Sequence, residues 1–424
     1  MRRLYLCRLM RRLLVRRSLT AVGIYSSVVL GFLATIVATR ELHSKQRFGD
    51  YATILFAVAL FQSFFDLTVE EAVVKYGFRF VAREDWKRLR RLFTAAAAFK
   101  LIGGVIGAVA LLIFAAVGPS RLATALVLAA FIPIVQSAEG LAGVMLYLRG
   151  RYDIRSLFLT WSMALRLAGV AVGAHYGVVQ AVAGVLAAQA AGTLSIAVVG
   201  LIALRRFPLE RGGALGDERR EIGSFIVQSS VATGVQSLRG GLGPLLLGAV
   251  TSTAQVGLFR VAQSPQSGFQ ALSAPARMVL LTEQTRDWEK GRESVVLRGI
   301  RRYTLVALGL AIVAAPPLII FIPTLIRHIN GPEYVGASNA ARLFVLTAAV
   351  QLVVGWTKSF PVTIGRPELR VRTHGVETLV VLPLIVVFGA YWGATGAAGA
   401  VLVGMCAFAV IWLVLVARME ANDT

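Results

Sequence analysis

Apolar runs long enough to cross a bilayer follow one another along this chain, separated by little more than short polar turns. A span needs roughly 20 mostly apolar residues to traverse about 30 Å of hydrocarbon. The pattern predicts twelve, near 18–39, 50–73, 93–116, 121–147, 156–176, 179–203, 223–249, 254–282, 303–326, 337–363, 372–391 and 394–417. No run alternates strictly between polar and apolar residues over ten-residue segments, as a transmembrane barrel would, so the spans are expected to be helices that satisfy their own backbone polar groups. A chain that is 57% hydrophobic and 16% charged, with a mean hydropathy of +0.71, could not hide that surface in one soluble core.

The formal net charge of +22 raises the question of nucleic acid, and the placement of the basic residues answers it. With the N-terminus in the cytosol, 34 of the 44 Lys and Arg fall on inner segments or the inner ends of the spans that border them, and five (Arg40, Lys45, Arg47, Arg121, Arg327) on outer loops. The others, Lys100, Arg166, Arg239, Arg260 and Arg342, lie within spans. That asymmetry is the positive-inside rule. It accounts for most of the excess as a topology signal with attraction to anionic membrane lipids, and it predicts cytosolic termini. No nucleic-acid partner is expected, because no basic domain interleaved with aromatics exists. Met1–Arg17, with seven Arg, reads as a cytosolic basic anchor followed by a span that is retained rather than cleaved. Cys7 and Cys406, the only cysteines, support neither a disulfide framework nor a thiolate metal site.

Compared with itself at offsets slightly above 200 residues, the chain repeats three features in order. Phe48-Gly49-Asp50-Tyr51 at the start of span 2 recurs as Val256-Gly257-Leu258-Phe259 at the start of span 8. Gly118-Pro119 recurs as Gly331-Pro332, and Gly150-Arg151 as Gly365-Arg366. Such pairs are ordinary turn chemistry singly; in register they predict two six-helix lobes, 1–203 and 223–424, joined by a cytosolic linker at 204–222. An even number of spans per repeat gives both lobes one orientation, an arrangement in which transporters place substrate between lobes that rock against each other.

Several of these segments carry a resemblance. Thr39-Arg40-Glu41 with Phe48 through Tyr51, Asp66 through Tyr76 closing span 2, Leu245-Leu246-Leu247-Gly248 followed by Val256 through Phe259, Gly331-Pro332-Glu333-Tyr334, and Gly393 through Gly399 make the chain similar to the oligosaccharide flippases, or polysaccharide transporters, of the multidrug/oligosaccharidyl-lipid/polysaccharide exporter superfamily. The resemblance implies an all-α polytopic membrane protein of twelve helices in two bundles. It also implies movement of a polyprenyl-diphosphate-linked oligosaccharide from inner to outer leaflet. Abundant Ala, Gly, Val and Arg point to a GC-rich prokaryotic genome, so the membrane expected is a prokaryotic cytoplasmic one. Family members often carry an Asp just before the Leu-Leu-Leu-Gly of span 7. Here Gly243-Pro244 stands there, with Arg239 one turn earlier.

A charge near the bilayer centre costs at least ~2.5–3.5 kcal/mol on insertion scales, so it normally faces a cavity or a partner. Arg166, about ten residues from either end of span 5, reads as an inward-facing cation for a diphosphate, a group an Arg fork suits; the alternative is a structural pair with Glu139 or Asp66. Arg239 and Arg260 are further substrate candidates, Arg260 also being near enough to the outer end to snorkel. Gln263, Gln266 and Gln270, at i, i+3 and i+7, form either a sugar-binding wall or interhelical glue. Asp66, Glu139, His374 and Glu377 are candidates for ion coupling or for pairing near the cytosolic surface, and Lys100 is expected to reach inward to the interface. Pro133 in span 4 and Pro316, Pro317 and Pro323 in span 9 predict kinks.

No phosphate-binding loop, zinc-ligand cluster or hydrolase triad is found, so no cofactor, metal or catalytic residue is expected. The expected activity is transport by a monomer rather than enzymatic work, with polysaccharide polymerase and glycosyltransferases as candidate partners. The alternative is a cation-coupled drug or metabolite antiporter of the same superfamily, which would favour acidic cavity residues.

Overall fold

The computed structural model describes residues 2–65, 69–208, 210, 214–216, 218–272, 284, 287–288, 291–358, 360–364, 366 and 368–422. Among them all regular structure is helical, and helix occupies each predicted span. The first half comprises α1 (Arg2–Glu41), α2 (Lys45–Phe65), α3 (Val69–Ala82), α4 (Trp86–Val117), α5 (Ser120–Ala129), α6 (Phe131–Leu148), α7 (Tyr152–Tyr176) and α8 (Val178–Arg205). The second comprises α9 (Glu218–Ser237), a π turn at Leu238–Leu242, α10 (Gly243–Val250), α11 (Thr253–Ala262), α12 (Ser264–Leu272), α13 (Glu293–Ile329), a 3₁₀ turn at Pro332–Ala337, α14 (Ser338–Val353), a 3₁₀ turn at Gly355–Lys358, α15 (Phe360–Thr363) and α16 (Glu368–Asn422).

Eight stretches among the described residues are long and apolar enough to cross a membrane unaided. The last, Val371–Met419, has 49 residues, about 74 Å of helix at 1.5 Å per residue, which is two crossings. They meet at Gly393, whose φ of 57° is open to glycine at little steric expense, and Gln255 Oε1 accepts from Ala394 N at 2.9 Å to cap the second half.

Several passes are interrupted within their length, and proline chemistry accounts for the interruptions in spans 4, 7 and 8. Span 4 divides at Ala130 because Pro133 has no N–H to return to the Ala129 carbonyl. Span 7 passes through the π turn just ahead of Pro244, which cannot donate to the Gly240 carbonyl. Span 8 pauses at Gln263, two residues before Pro265. Span 9, by contrast, remains one helix of 37 residues through Pro316, Pro317 and Pro323. The Ile319 carbonyl freed by Pro323 accepts instead from Arg342 Nε at 3.2 Å, the substitution by a neighbouring helix that makes proline tolerable in a membrane.

The contacts divide the chain into two compact units, Met1–Leu42 with Ala57–Thr233, and His43–Phe56 with Gly234–Thr424. In the first, α7 packs along α1 and α8. Thr160 Oγ1 donates to the Gly23 carbonyl at 2.8 Å, and Gly169 and Gly184 bring the α7 and α8 backbones so close that a Cβ on either would strike the other. Where α3 meets the start of α9 in this unit, Arg79 donates to both carboxylate oxygens of Glu221 at 3.1 and 3.2 Å, and Arg83 donates to Glu218 at 3.2 Å. The Arg79 guanidinium holds the Glu221 carboxyl below the ordinary carboxylate range. In this way the acidic run before span 7 is fastened onto α3.

The second unit centres on Trp356, Phe360, Phe408 and Trp412, packed edge to face with Trp356 and Trp412 centroids 5.8 Å apart. It also holds the two copies of the repeated motif in mutual contact. A Cβ on Gly49 would strike the Thr253 backbone, and one on Gly257 would lie 3.1 Å from Gly49 Cα. Thr253 Oγ1 fastens this crossing by donating to Asp50 Oδ1 at 2.6 Å and accepting from Gln46 Nε2 at 2.7 Å.

Candidate functional site

Within the first unit, polar side chains converge on α6 from both sides. Glu139 Oε2 accepts from Gln189 Nε2 of α8 at 2.7 Å, and Oε1 lies 3.7 Å from Arg155 Nη1 in the first turn of α7. One residue along, Gly140 leaves the space that the Glu70 carboxylate occupies, and Glu70 receives the ammonium of Lys100 from α4. Lys100 is 6% exposed, and the Glu70 side chain that it meets, close to the end of predicted span 2, is 38% exposed. Burying the Lys100 ammonium is supportable because an opposite charge meets it. Lys100 also borders a cavity of about 20 Å³ beside the span 4 break, lined with Gln62, Gly103, Gly104, Pro133, Gln136 and Ser137, enough for about one water.

Arg166 lies midway along α7, half-buried. Neither a hydrogen bond nor an ion pair to it is found among the described residues, and Glu139, one of its two expected structural partners, is engaged by Arg155 and Gln189. The other, Asp66, lies outside the described residues.

In the second unit the π turn carries Arg239 to Glu377 of α16, and the two form an ion pair. Glu377 is 2% exposed and is also met by His374 Nδ1 at 3.0 Å; the His374 ring is stacked on Phe408 with centroids 4.9 Å apart. The structure therefore brings three candidates, Arg239, His374 and Glu377, into one buried cluster. Arg260 lies over the Phe56 ring with its guanidinium 5.3 Å from the centroid. Gln266 is buried and donates to Gln351 Oε1 at 3.4 Å, the glue reading of that amide. Gln263 is half-buried at the helix pause, and the Gln270 side chain is outside the described residues. Arg342 completes the backbone of span 9 and also donates to Asn339 Oδ1 at 3.0 Å.

Sequence reasoning missed Arg155, Glu70, Gln189 and Gln351. Arg155 is counted there as an inner-loop charge because it lies at the very start of its span, and only the fold shows it turned toward Glu139. The i, i+4 pair Gln189 and Thr193, in which the amide donates to the hydroxyl at 3.1 Å, was a local polar signal in an otherwise apolar span.

The profile of a family described as polysaccharide biosynthesis protein matches residues 17–281. Among curated protein sequences none matches the chain. Solved structures that resemble it include a multidrug resistance MATE family transporter of the MOP superfamily in an inward-facing conformation, 13% identical, covering 95% of this chain and 98% of the other at a TM-score of 0.75. The lipid II flippase MurJ in an inward closed conformation is 13% identical over 94% of this chain and 87% of its own, at 0.73. A MOP superfamily transporter from Pyrococcus furiosus, described by a binding pocket of reverse polarity, is 14% identical over 97% and 96%, at 0.64. These likenesses establish the fold: an all-helical, multi-pass membrane protein of twelve spans.

Proposed function

This chain belongs to the polysaccharide biosynthesis protein family, and from that premise we propose that it is an alternating-access flippase. Its cargo in this reading is a polyprenyl-diphosphate-linked oligosaccharide, carried across the cytoplasmic membrane of a prokaryote for cell-surface polysaccharide. The lobes 1–203 and 223–424, joined by 204–222, are the moving bodies of a monomer with both termini in the cytosol, and polymerase and glycosyltransferases act before and after it. Resemblance to a lipid II flippase supports the lipid-linked class of cargo.

Arg166 carries the reading. A diphosphate drawn through hydrocarbon bears a charge that lipid cannot solvate, and a fixed guanidinium halfway across supplies two-pronged hydrogen bonding and the opposite charge at the least hospitable depth. Among the described residues, the membrane acids that a cation antiporter would use, Glu70, Glu139 and Glu377, each face a basic side chain of the chain itself. An anionic headgroup fits that balance better than a cation does.

The test is flipping by the purified full chain in liposomes. Movement of the lipid-linked sugar is expected without ATP. Arg166→Ala should reduce it at least tenfold with the protein still folded, and Arg166→Lys should recover part of it, since the charge remains but the fork is lost. Normal flipping by a stable Arg166→Ala protein removes the cargo role of that residue, and transport of small cationic drugs with none of the lipid-linked sugar refutes the function.

A further inference from the structure

Arg155 and Glu139 form the one buried pair described above whose contact is loose. Both side chains are 12% exposed. Their 3.7 Å separation is beyond hydrogen-bond length, and Arg155 Nη1 is buried with no hydrogen-bond acceptor among the described residues. The guanidinium reaches this place because α6 has Gly143 there; a Cβ would lie 2.5 Å from Arg155 Nε. Glu139 is held from behind by Gln189 through its other oxygen, so the carboxylate and the guanidinium are positioned separately and touch only by charge.

The place on α7 matters as much as the contact. Arg155 is in the helix's first turn and Arg166 is eleven residues further on, about 16 Å along the axis and ~20° around it, so the two arginines share one face at two depths. In the proposed topology the first turn of α7 lies where inner-leaflet phosphates lie, and Arg166 lies near the membrane centre.

We infer that Arg155 is a loading site for the diphosphate of the cargo, and that Glu139 is its resident counter-ion while the site is empty. A diphosphate offers more negative charge than one carboxylate and can accept from both prongs of the guanidinium, so it displaces Glu139 and satisfies the N–H that Glu139 does not. The inference rests on the flippase reading and adds to it a first binding step, one leaflet before Arg166.

The experiment uses the full chain in lipid nanodiscs, with native mass spectrometry or equilibrium binding of geranylgeranyl diphosphate as the probe. Geranylgeranyl monophosphate and inorganic pyrophosphate are the comparators. Arg155→Gln should weaken diphosphate binding at least tenfold, and Glu139→Gln, which removes the competing anion, should tighten it severalfold. Because Arg155→Gln leaves Glu139 uncompensated, the double variant Arg155→Gln/Glu139→Gln guards against misfolding; it should be as stable as the parent and still bind weakly. Parent-like binding by the double variant, or weaker binding by Glu139→Gln, would make the pair purely structural and overturn the site. Pyrophosphate binding as tight as the lipid's would make it a free-anion site and overturn the lipid loading role. If the parent binds none of the probe, the flippase reading fails; if the parent binds and only the double variant retains that binding, this inference fails alone.

Discussion

Four half-buried arginines within apolar spans have four different surroundings, and those surroundings separate their roles. Arg239 is committed to Glu377, Arg260 rests on Phe56, Arg342 serves a carbonyl, and Arg166 has no ion pair or hydrogen bond among the described residues. Removing one member of a buried pair typically costs about 3–5 kcal/mol because the other charge stays behind. Arg239→Ala should therefore lower the thermal unfolding midpoint in detergent sharply, and Glu377→Gln added to it should recover much of the loss. A midpoint unmoved by Arg239→Ala would return that residue to the cargo. The depth of Arg166 was legible by counting along an apolar run, whereas the partner of Arg239 was not, since Glu377 is 138 residues away and nothing local connects them. Lys100 and Glu70, 30 residues apart, and Arg155 and Glu139, nearer still in sequence but on different helices, were hidden likewise, because nothing local shows which helix faces which.

Helix placement was legible because lipid enforces a length, and each predicted span contains helix. What happens inside a span was less so. Pro133 breaks span 4 as expected, but three prolines leave span 9 continuous, because whether a freed carbonyl is repaired depends on what the adjacent helix offers. At Ile319 the repair is Arg342. Leaving that carbonyl unpaired in a dry environment costs about 1–3 kcal/mol. Arg342→Leu should destabilise the protein by that amount, and Pro323→Ala, which restores the helical N–H, should offset much of it in the double variant. Equal destabilisation by Arg342→Leu with Pro or Ala at 323 would mean that the arginine acts elsewhere. The amide face of span 8 shows the same limit: Gln263, Gln266 and Gln270 share a face of an unbroken helix, but the helix pauses at Gln263.

At the scale of the whole chain, the basic residues predict a single orientation. Single cysteines at positions 215 and 420 should stay unlabelled by an impermeant thiol reagent in intact cells and react once the membrane is permeabilised, with Cys7 and Cys406 replaced beforehand. Labelling from outside would invert the topology and with it the inner position given to Arg155. The sequence pairs Gly49 with Gly257 as matching positions of a repeat, but it does not tell that they touch; similarity of two segments says nothing of their separation in space. Two such glycines, facing each other in one crossing, cannot drift independently. A larger residue at 49 strikes the Thr253 backbone whatever stands at 257, and a larger one at 257 strikes the Lys45 carbonyl and Gly49 itself. The crossing is in effect one inherited character written twice in the chain, and in lines of descent it should outlast the interchangeable Leu, Val and Ala residues around it, marking distant kin after overall similarity has faded.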